Sequence, residues 1–308
     1  MLACLLASAL VTGCGGQKAK VQHVATGTTP HPAPAIVGSG RLVGIGSGRS
    51  LYLDCVGSGS PTVVLEAGFG GNTGNWRDVQ PQIGRTTRTC AYDRAGLGNS
   101  LARPGVHDAG DEITDLQRLL DAAHVRPPYV LVGHSYGGLL VRLFAKAHAD
   151  ETAGVVLVDA VGRNQRRREL ARWPRSLVPA ARREEAKPVR DGVDLAAGDA
   201  LGSRVRTLGD APVAVITAGK HADVASLPRR LARAFDRLWS TMQDELATLS
   251  SDHVHVVALR SDHFVQRLDG QPGVVIRAVG AVVRAARDQA HLPPCRRLFS
   301  GSNVRCRD

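Results

Sequence analysis

With 308 residues the chain is long enough for one large domain with an ample core, and too short for two such domains joined by linkers. Charged residues make up 22% and apolar ones 43%, an ordinary globular composition that excludes a fibrous or wholly disordered chain. The net charge of +11 comes mostly from arginines scattered through every segment, with no helix-turn-helix, zinc-finger or RNP pattern beside them, so a basic solvated surface is expected and nucleic acid is not an expected partner.

Residues 1–11 form an apolar run too short to span a bilayer and of the right length for the core of a signal peptide. The run ends in Val11-Thr12-Gly13-Cys14, which resembles the lipobox of bacterial lipoproteins. That resemblance implies a signal peptide over 1–13, a lipid anchor on Cys14 and an exported protein held at the cell membrane, facing outside the cytoplasm. It departs from the pattern in having no Lys or Arg ahead of the apolar run. Residues 14–40, rich in Gly, Thr, Pro and Ala without apolar periodicity, read as a flexible tether.

From 41 onward short apolar runs alternate with helical patterns, the mark of an open α/β sheet. Strands are predicted over 41–45, 50–56, 62–66, 88–92, 129–133, 154–158, 213–217 and 254–259. The unbroken apolar run of 129–133 suits a parallel strand buried on both faces. Helices are predicted over 111–124, 139–148 and 274–287. Leu231, Phe235, Leu238, Trp239, Met242, Leu246 and Leu249 mark a further long helix whose apolar stripe reads as a core face. Residues 161–210 break the rhythm, being rich in Arg with few apolar repeats, and read as an insertion, either a cap over the ligand side of the sheet or a solvated helical excursion with no gating role. With Cys4 in the signal and Cys14 acylated, Cys55, Cys90, Cys295 and Cys306 remain, and an even count in an exported chain favours disulfides. Of the three ways to pair them, Cys55 with Cys90 and Cys295 with Cys306 is the expected one, the second closing a tail over 292–308. There is no C-x-x-C spacing, so no zinc or redox site is expected.

The chemistry-bearing motif is Gly133-His134-Ser135-Tyr136-Gly137, a G-x-S-x-G directly after a predicted strand and before a predicted helix. So tight a turn needs its glycines and lifts the Ser135 hydroxyl above the sheet. A serine hydroxyl is a poor nucleophile without a base. Of eleven histidines, His263 is the candidate base, because Ser261-Asp262-His263-Phe264 lies between the last strand and the last helix; His134 flanks the elbow and is expected to point away from the serine. The base needs a carboxylate to fix its tautomer. Asp159, at the end of the strand after the nucleophile helix, is the first candidate; Asp223, several residues into the loop after the next strand, is the alternative; Asp262 reads as a turn residue. The glycines of Ala67-Gly68-Phe69-Gly70-Gly71 let backbone approach the reacting carbon, so the N–H groups of Phe69 and Tyr136 are the candidate oxyanion donors.

Together 67–71, the segment Tyr92-Asp93-Arg94-Ala95-Gly96-Leu97-Gly98-Asn99-Ser100, the elbow and 261–264 resemble the α/β-hydrolase superfamily, in its serine esterase and lipase-like branch, over about 51–286. The resemblance implies a mostly parallel, doubly wound sheet with a short helical cap, and ester hydrolysis through an acyl-enzyme with no metal or organic cofactor. Relatives often carry His-Gly where this chain has Ala67-Gly68, and no catalytic role is carried over for 93–100. Epoxide hydrolases and haloalkane dehalogenases of this fold use Asp at the elbow, which Ser135 argues against. An amidase, a peptidase or an acyltransferase on the same triad, and a tethered binding protein with a vestigial triad, stay open at this point.

Overall fold

The computed structural model describes residues 40–175, 178–179, 192–221 and 227–307. The signal peptide expected over 1–13, Cys14 and the tether up to residue 39 lie outside the described residues. Among the described residues nine strands make one sheet: β1 Arg41–Gly46, β2 Arg49–Val56, β3 Thr62–Glu66, β4 Thr89–Tyr92, β5 Tyr129–His134, β6 Thr152–Val158, β7 Val213–Ala218, β8 His253–Ala258 and β9 Val304–Cys306. The helices are α1 Gln80–Ile83, α2 Ala109–Ala122, α3 Tyr136–Ala147, α4 Gln165–Leu170, α5 Leu195–Gly202, α6 Arg229–Ala247, α7 Pro272–Asp288 and α8 Cys295–Leu298.

The sheet order is β1-β2-β4-β3-β5-β6-β7-β8-β9. Pairing is parallel from β4 through β8 and antiparallel at both ends, between β1 and β2, β2 and β4, and β8 and β9. Every residue of β3, β4 and β5 is buried, as a parallel sheet covered on both faces requires. Successive residues feed opposite cores. Val63, Leu65, Val130, Val132, Val156 and Val158 pack against the α7 side chains Val275, Ala278, Val279 and Val282. The residues between them, Val64, Leu131, Val155 and Leu157, face the α2 and α3 side chains Leu116, Leu119, Val141 and Phe144. Each fully buried aliphatic side chain of this kind contributes about 1.5–3 kcal/mol relative to exposure.

Local chemistry sets the helix ends where periodicity alone misses them. Helix α2 begins two residues before the predicted start because Asp108 caps it, accepting from the Gly110 and Asp111 N–H groups at 2.8 and 3.2 Å while Asp111 reaches back to the Asp108 N–H. It ends before the predicted residue 124, where His124 turns left-handed at φ 53°. Between β6 and β7 the described residues carry α4 and α5. Val193 there forms a bridge to His107, and Trp173 packs with its ring 5.5 Å from that of Phe235.

Two disulfides join Cys55 to Cys90 and Cys295 to Cys306. The first staples directly opposed residues of β2 and β4. The second ties α8 to β9, a three-residue strand with too few residues to show a period, which pairs Val304, Arg305 and Cys306 with β8. Each bridge closes a loop, so each should contribute about 2–4 kcal/mol. Alkylation of unreduced, denatured protein should therefore leave these four cysteines unmodified, and reduction should lower the urea midpoint; quantitative labelling of Cys55 and Cys90 would contradict the pairing.

Candidate active site

Ligand sites of open α/β sheets lie where neighbouring strands send their connections to opposite sides. That place is between β3 and β5, because the chain leaves β3 for β4 on one side and β5 for β6 on the other. Glu66 is in register with Gly133, and His134 with Val158. The 67–71 turn, Ser135 and Asp159 therefore leave the sheet side by side.

Ser135 links β5 to α3 with φ 54° and ψ −119°, a conformation that costs a non-glycine residue on the order of 1–3 kcal/mol. Three hydrogen bonds of 3.0 Å hold it there: its N–H donates to the Val158 carbonyl, and its carbonyl accepts from the N–H groups of Gly138 and Val161. The flanking glycines answer a steric demand. A Cβ on Gly133 would fall 2.4 Å from the Gly137 carbonyl oxygen, and one on Gly137 would fall 2.3 Å from that of Glu66.

Asp159 follows β6 directly, also at positive φ (43°), and is buried. Its Oδ2 lies 2.7 Å from His263 Nδ1, while Oδ1 accepts from the Ala218 N–H and the Trp239 indole N–H, both at 2.9 Å. Burial pushes the Asp159 carboxyl up, but the hydrogen bond and charge of His263, with the two N–H donors, outweigh it and hold the group below its ordinary value. Beside it, Gln243 of the same helix as Trp239 donates to the Ala160 carbonyl at 2.7 Å. His263 stands on the loop after β8 with its side chain 36% exposed. Asp262 makes the turn, accepting from the Phe264 N–H at 3.0 Å. Asp223 lies outside the described residues.

His134 has more to do than flank the elbow. Its Nε2 donates to the His263 carbonyl at 2.8 Å, and the two rings stand 4.6 Å apart. Burial, then the charge of His263, lower its pKa to about 3, so the ring is neutral with its proton on Nε2. Trp239 was equally hidden in the sequence, where its spacing matches a core face. The available signal was chemical, since a buried indole N–H needs an acceptor.

The 67–71 turn closes against the elbow. Gly68 accepts from the Gly71 N–H at 3.0 Å, and a Cβ on Gly68 would meet His134 Nδ1 at 2.9 Å and the Ser135 Cβ at 3.3 Å. The rings of Phe69 and Tyr136 meet edge to face at 6.1 Å. Among the described residues, no backbone carbonyl accepts from the Phe69 N–H or from the Tyr136 N–H at the start of α3. The structure thus brings together Ser135, the Phe69 turn, Tyr136, His263 and Asp159.

Hydrogen bonds to a charged group contribute about 1.5–3 kcal/mol, so Trp239→Phe should destabilise the protein by that amount at pH 7 in urea denaturation. A carboxyl held below its ordinary value stabilises the fold above its unfolded-state pKa, and that stability is lost as pH falls through the folded-state value. The cost of Trp239→Phe should accordingly shrink below a pH of about 4. A cost that does not change with pH would contradict the bond to an ionised Asp159.

Residues 61–199 match the family described as the alpha/beta hydrolase fold. The uncharacterized protein YqjL of Bacillus subtilis (strain 168) is 27% identical over 238 residues, 76% of this chain and 88% of that protein. The 2-hydroxy-6-oxo-2,4-heptadienoate hydrolase of Pseudomonas putida is 34% identical over 126 residues, 40% of this chain and 45% of that enzyme, so that match spans less than half of the relative. Among solved structures, a thermophilic esterase from Thermogutta terrifontis superposes with a TM-score of 0.56 at 20% identity, over 80% of this chain and 98% of the esterase. The parallel sheet order, the serine turn between β5 and α3 and these matches agree: the chain has the α/β-hydrolase fold.

Proposed function

We propose that this chain is a hydrolase of the α/β-hydrolase superfamily that cleaves carboxylic esters with Ser135 as nucleophile. The observation that carries the reading is the 2.7 Å contact of Asp159 with His263 Nδ1, next to a serine on a strained strand-to-helix turn. In this reading His263 Nε2 takes the Ser135 hydroxyl proton as Oγ bonds to the ester carbonyl carbon. Asp159 accepts from Nδ1–H, fixing the tautomer and stabilising the imidazolium. The negative charge that develops on the carbonyl oxygen is met by the N–H groups of Phe69 and Tyr136. His263 then gives its proton to the departing alcohol, water attacks the acyl-enzyme with His263 again as base, and the acid leaves.

Amide cleavage and acyl transfer use the same groups, and the choice among them is a matter of rates. A fluorophosphonate should label folded protein at Ser135 and not label Ser135→Ala. Purified protein should hydrolyse p-nitrophenyl esters faster than the matching anilides. Asp159→Asn should lower turnover by about 10⁴, near 5.5 kcal/mol of transition-state stabilisation. Labelling that persists in Ser135→Ala, or folded wild-type protein that neither reacts nor turns over, would favour a binding protein. Faster anilide cleavage would favour an amidase.

A further inference from the structure

Beneath the 67–71 turn lies a buried polar group that the reaction scheme leaves unused. Arg94, 4% exposed, donates from one terminal nitrogen to Glu66 Oε1 at 2.6 Å and to the Ala67 carbonyl at 2.7 Å, and from the other to the Gly68 carbonyl at 2.8 Å. Its Nε stands 3.1 Å from Glu112 Oε1. The other oxygen of Glu112 accepts from the Tyr136 hydroxyl at 2.6 Å, Tyr92 donates to the second oxygen of Glu66, and the guanidinium carbon lies 5.5 Å from the Tyr136 ring centre.

We propose that Arg94 is a positioning residue that sets both oxyanion donors through these contacts. The inference rests on the hydrolase reading above. A trans peptide is planar, with its C=O and N–H pointing in opposite directions. The Gly68 carbonyl and the Phe69 N–H belong to one such plane, so a guanidinium holding the carbonyl fixes the N–H on the opposite side of that peptide, in a turn whose Gly68 abuts Ser135. A cation on the carbonyl also polarises the peptide and strengthens its N–H as a donor. The second donor is tied to the same cation through Tyr136, Glu112 and Arg94. The planar guanidinium donates to two carbonyls and Glu66 while its Nε faces Glu112 as an ion pair, a span that the compact ammonium of a lysine does not reproduce. Burying one cation with two carboxylates is a costly way to fill a core that apolar side chains fill as well or better, which favours a role in the site over one in stability alone.

The test uses two aryl esters that differ only in having oxygen or sulfur at the carbonyl, since sulfur accepts hydrogen bonds poorly and gains little from oxyanion donors. Two variants guard against misfolding: Arg94→Lys, and Arg94→Met combined with Glu66→Gln and Glu112→Gln, which leaves no buried charge unpaired. In folded variants, kcat on the oxygen ester should fall by about 10²-fold with KM changed by less than about threefold. The oxygen-to-sulfur rate ratio should fall by about tenfold, with the lysine variant intermediate. An equal fall on both esters, or kcat within about threefold of wild type, would overturn the inference and leave the hydrolase reading intact. Wild-type protein that turns over neither ester and takes no phosphonate at Ser135 would instead overturn the hydrolase reading.

Discussion

Parallel pairing of β3 with β5, β5 with β6 and β6 with β7 brings the carboxyl ends of four central strands together at one end of the sheet, and each candidate site residue on them takes its place from that register. The 67–71 turn leaves β3, Ser135 leaves β5, Asp159 leaves β6, and Ala218 at the end of β7 donates to Asp159. A slip of one residue between β5 and β6 would exchange the two faces of the strand and carry Val158 away from the Ser135 N–H it holds. The two cores that sandwich these strands are therefore part of the site's construction. Their alternation of Val63 and Leu65 against Val64, and of Val130 and Val132 against Leu131, fixes which side chains can face which helix.

Charge is buried in two different ways around that end of the sheet. Asp159 is surrounded by donors, from Ala218, Trp239 and His263, that favour its ionised form and outweigh its loss of water. Glu66 is equally buried but has fewer donors, and burial pushes its carboxyl up to about 7 against the pull of Arg94 and the Tyr92 hydroxyl. In the proposed reading the first arrangement holds His263 in one tautomer, and the second braces the backbone that would meet an oxyanion. His134 joins the two regions, since its ring stands beside His263 and its Nδ1 lies close to Gly68.

Much of this was legible in the sequence because the signals were periodic or steric. Continuous apolar runs announced the buried parallel strands, and the two glycines around Ser135 announced a turn that no larger residue fits. The even count of four cysteines pointed to disulfides, and the pairing seen is the one expected among three. Strand-end position offered Asp159 and Asp223 as partners for His263; Asp159 makes that contact, and Asp223 lies outside the described residues. What stayed hidden depends on contacts between distant residues that carry no local period. Trp239 is 80 residues from Asp159 and sits in an apolar stripe, so its spacing speaks for packing and not for its N–H. Arg94 reaches back 26 to 28 residues to Glu66, Ala67 and Gly68, and only the packed sheet reveals that its segment supports the turn. Strand β9 is three residues long and owes its place to a disulfide and to the edge of β8.

In the proposed reading the carboxyl ends of the central strands assemble a nucleophile, its base and two oxyanion donors around a single reacting atom. A crystal structure of the phosphonate-treated protein checks that arrangement, because the adduct places an oxygen where the oxyanion would stand. Phosphorus should be bonded to Ser135 Oγ, the phosphoryl oxygen should lie about 2.7–3.1 Å from the Phe69 and Tyr136 nitrogens, and His263 Nε2 should be within hydrogen-bonding reach of the adduct. An adduct on another residue, or one whose phosphoryl oxygen faces solvent away from both N–H groups, would contradict it.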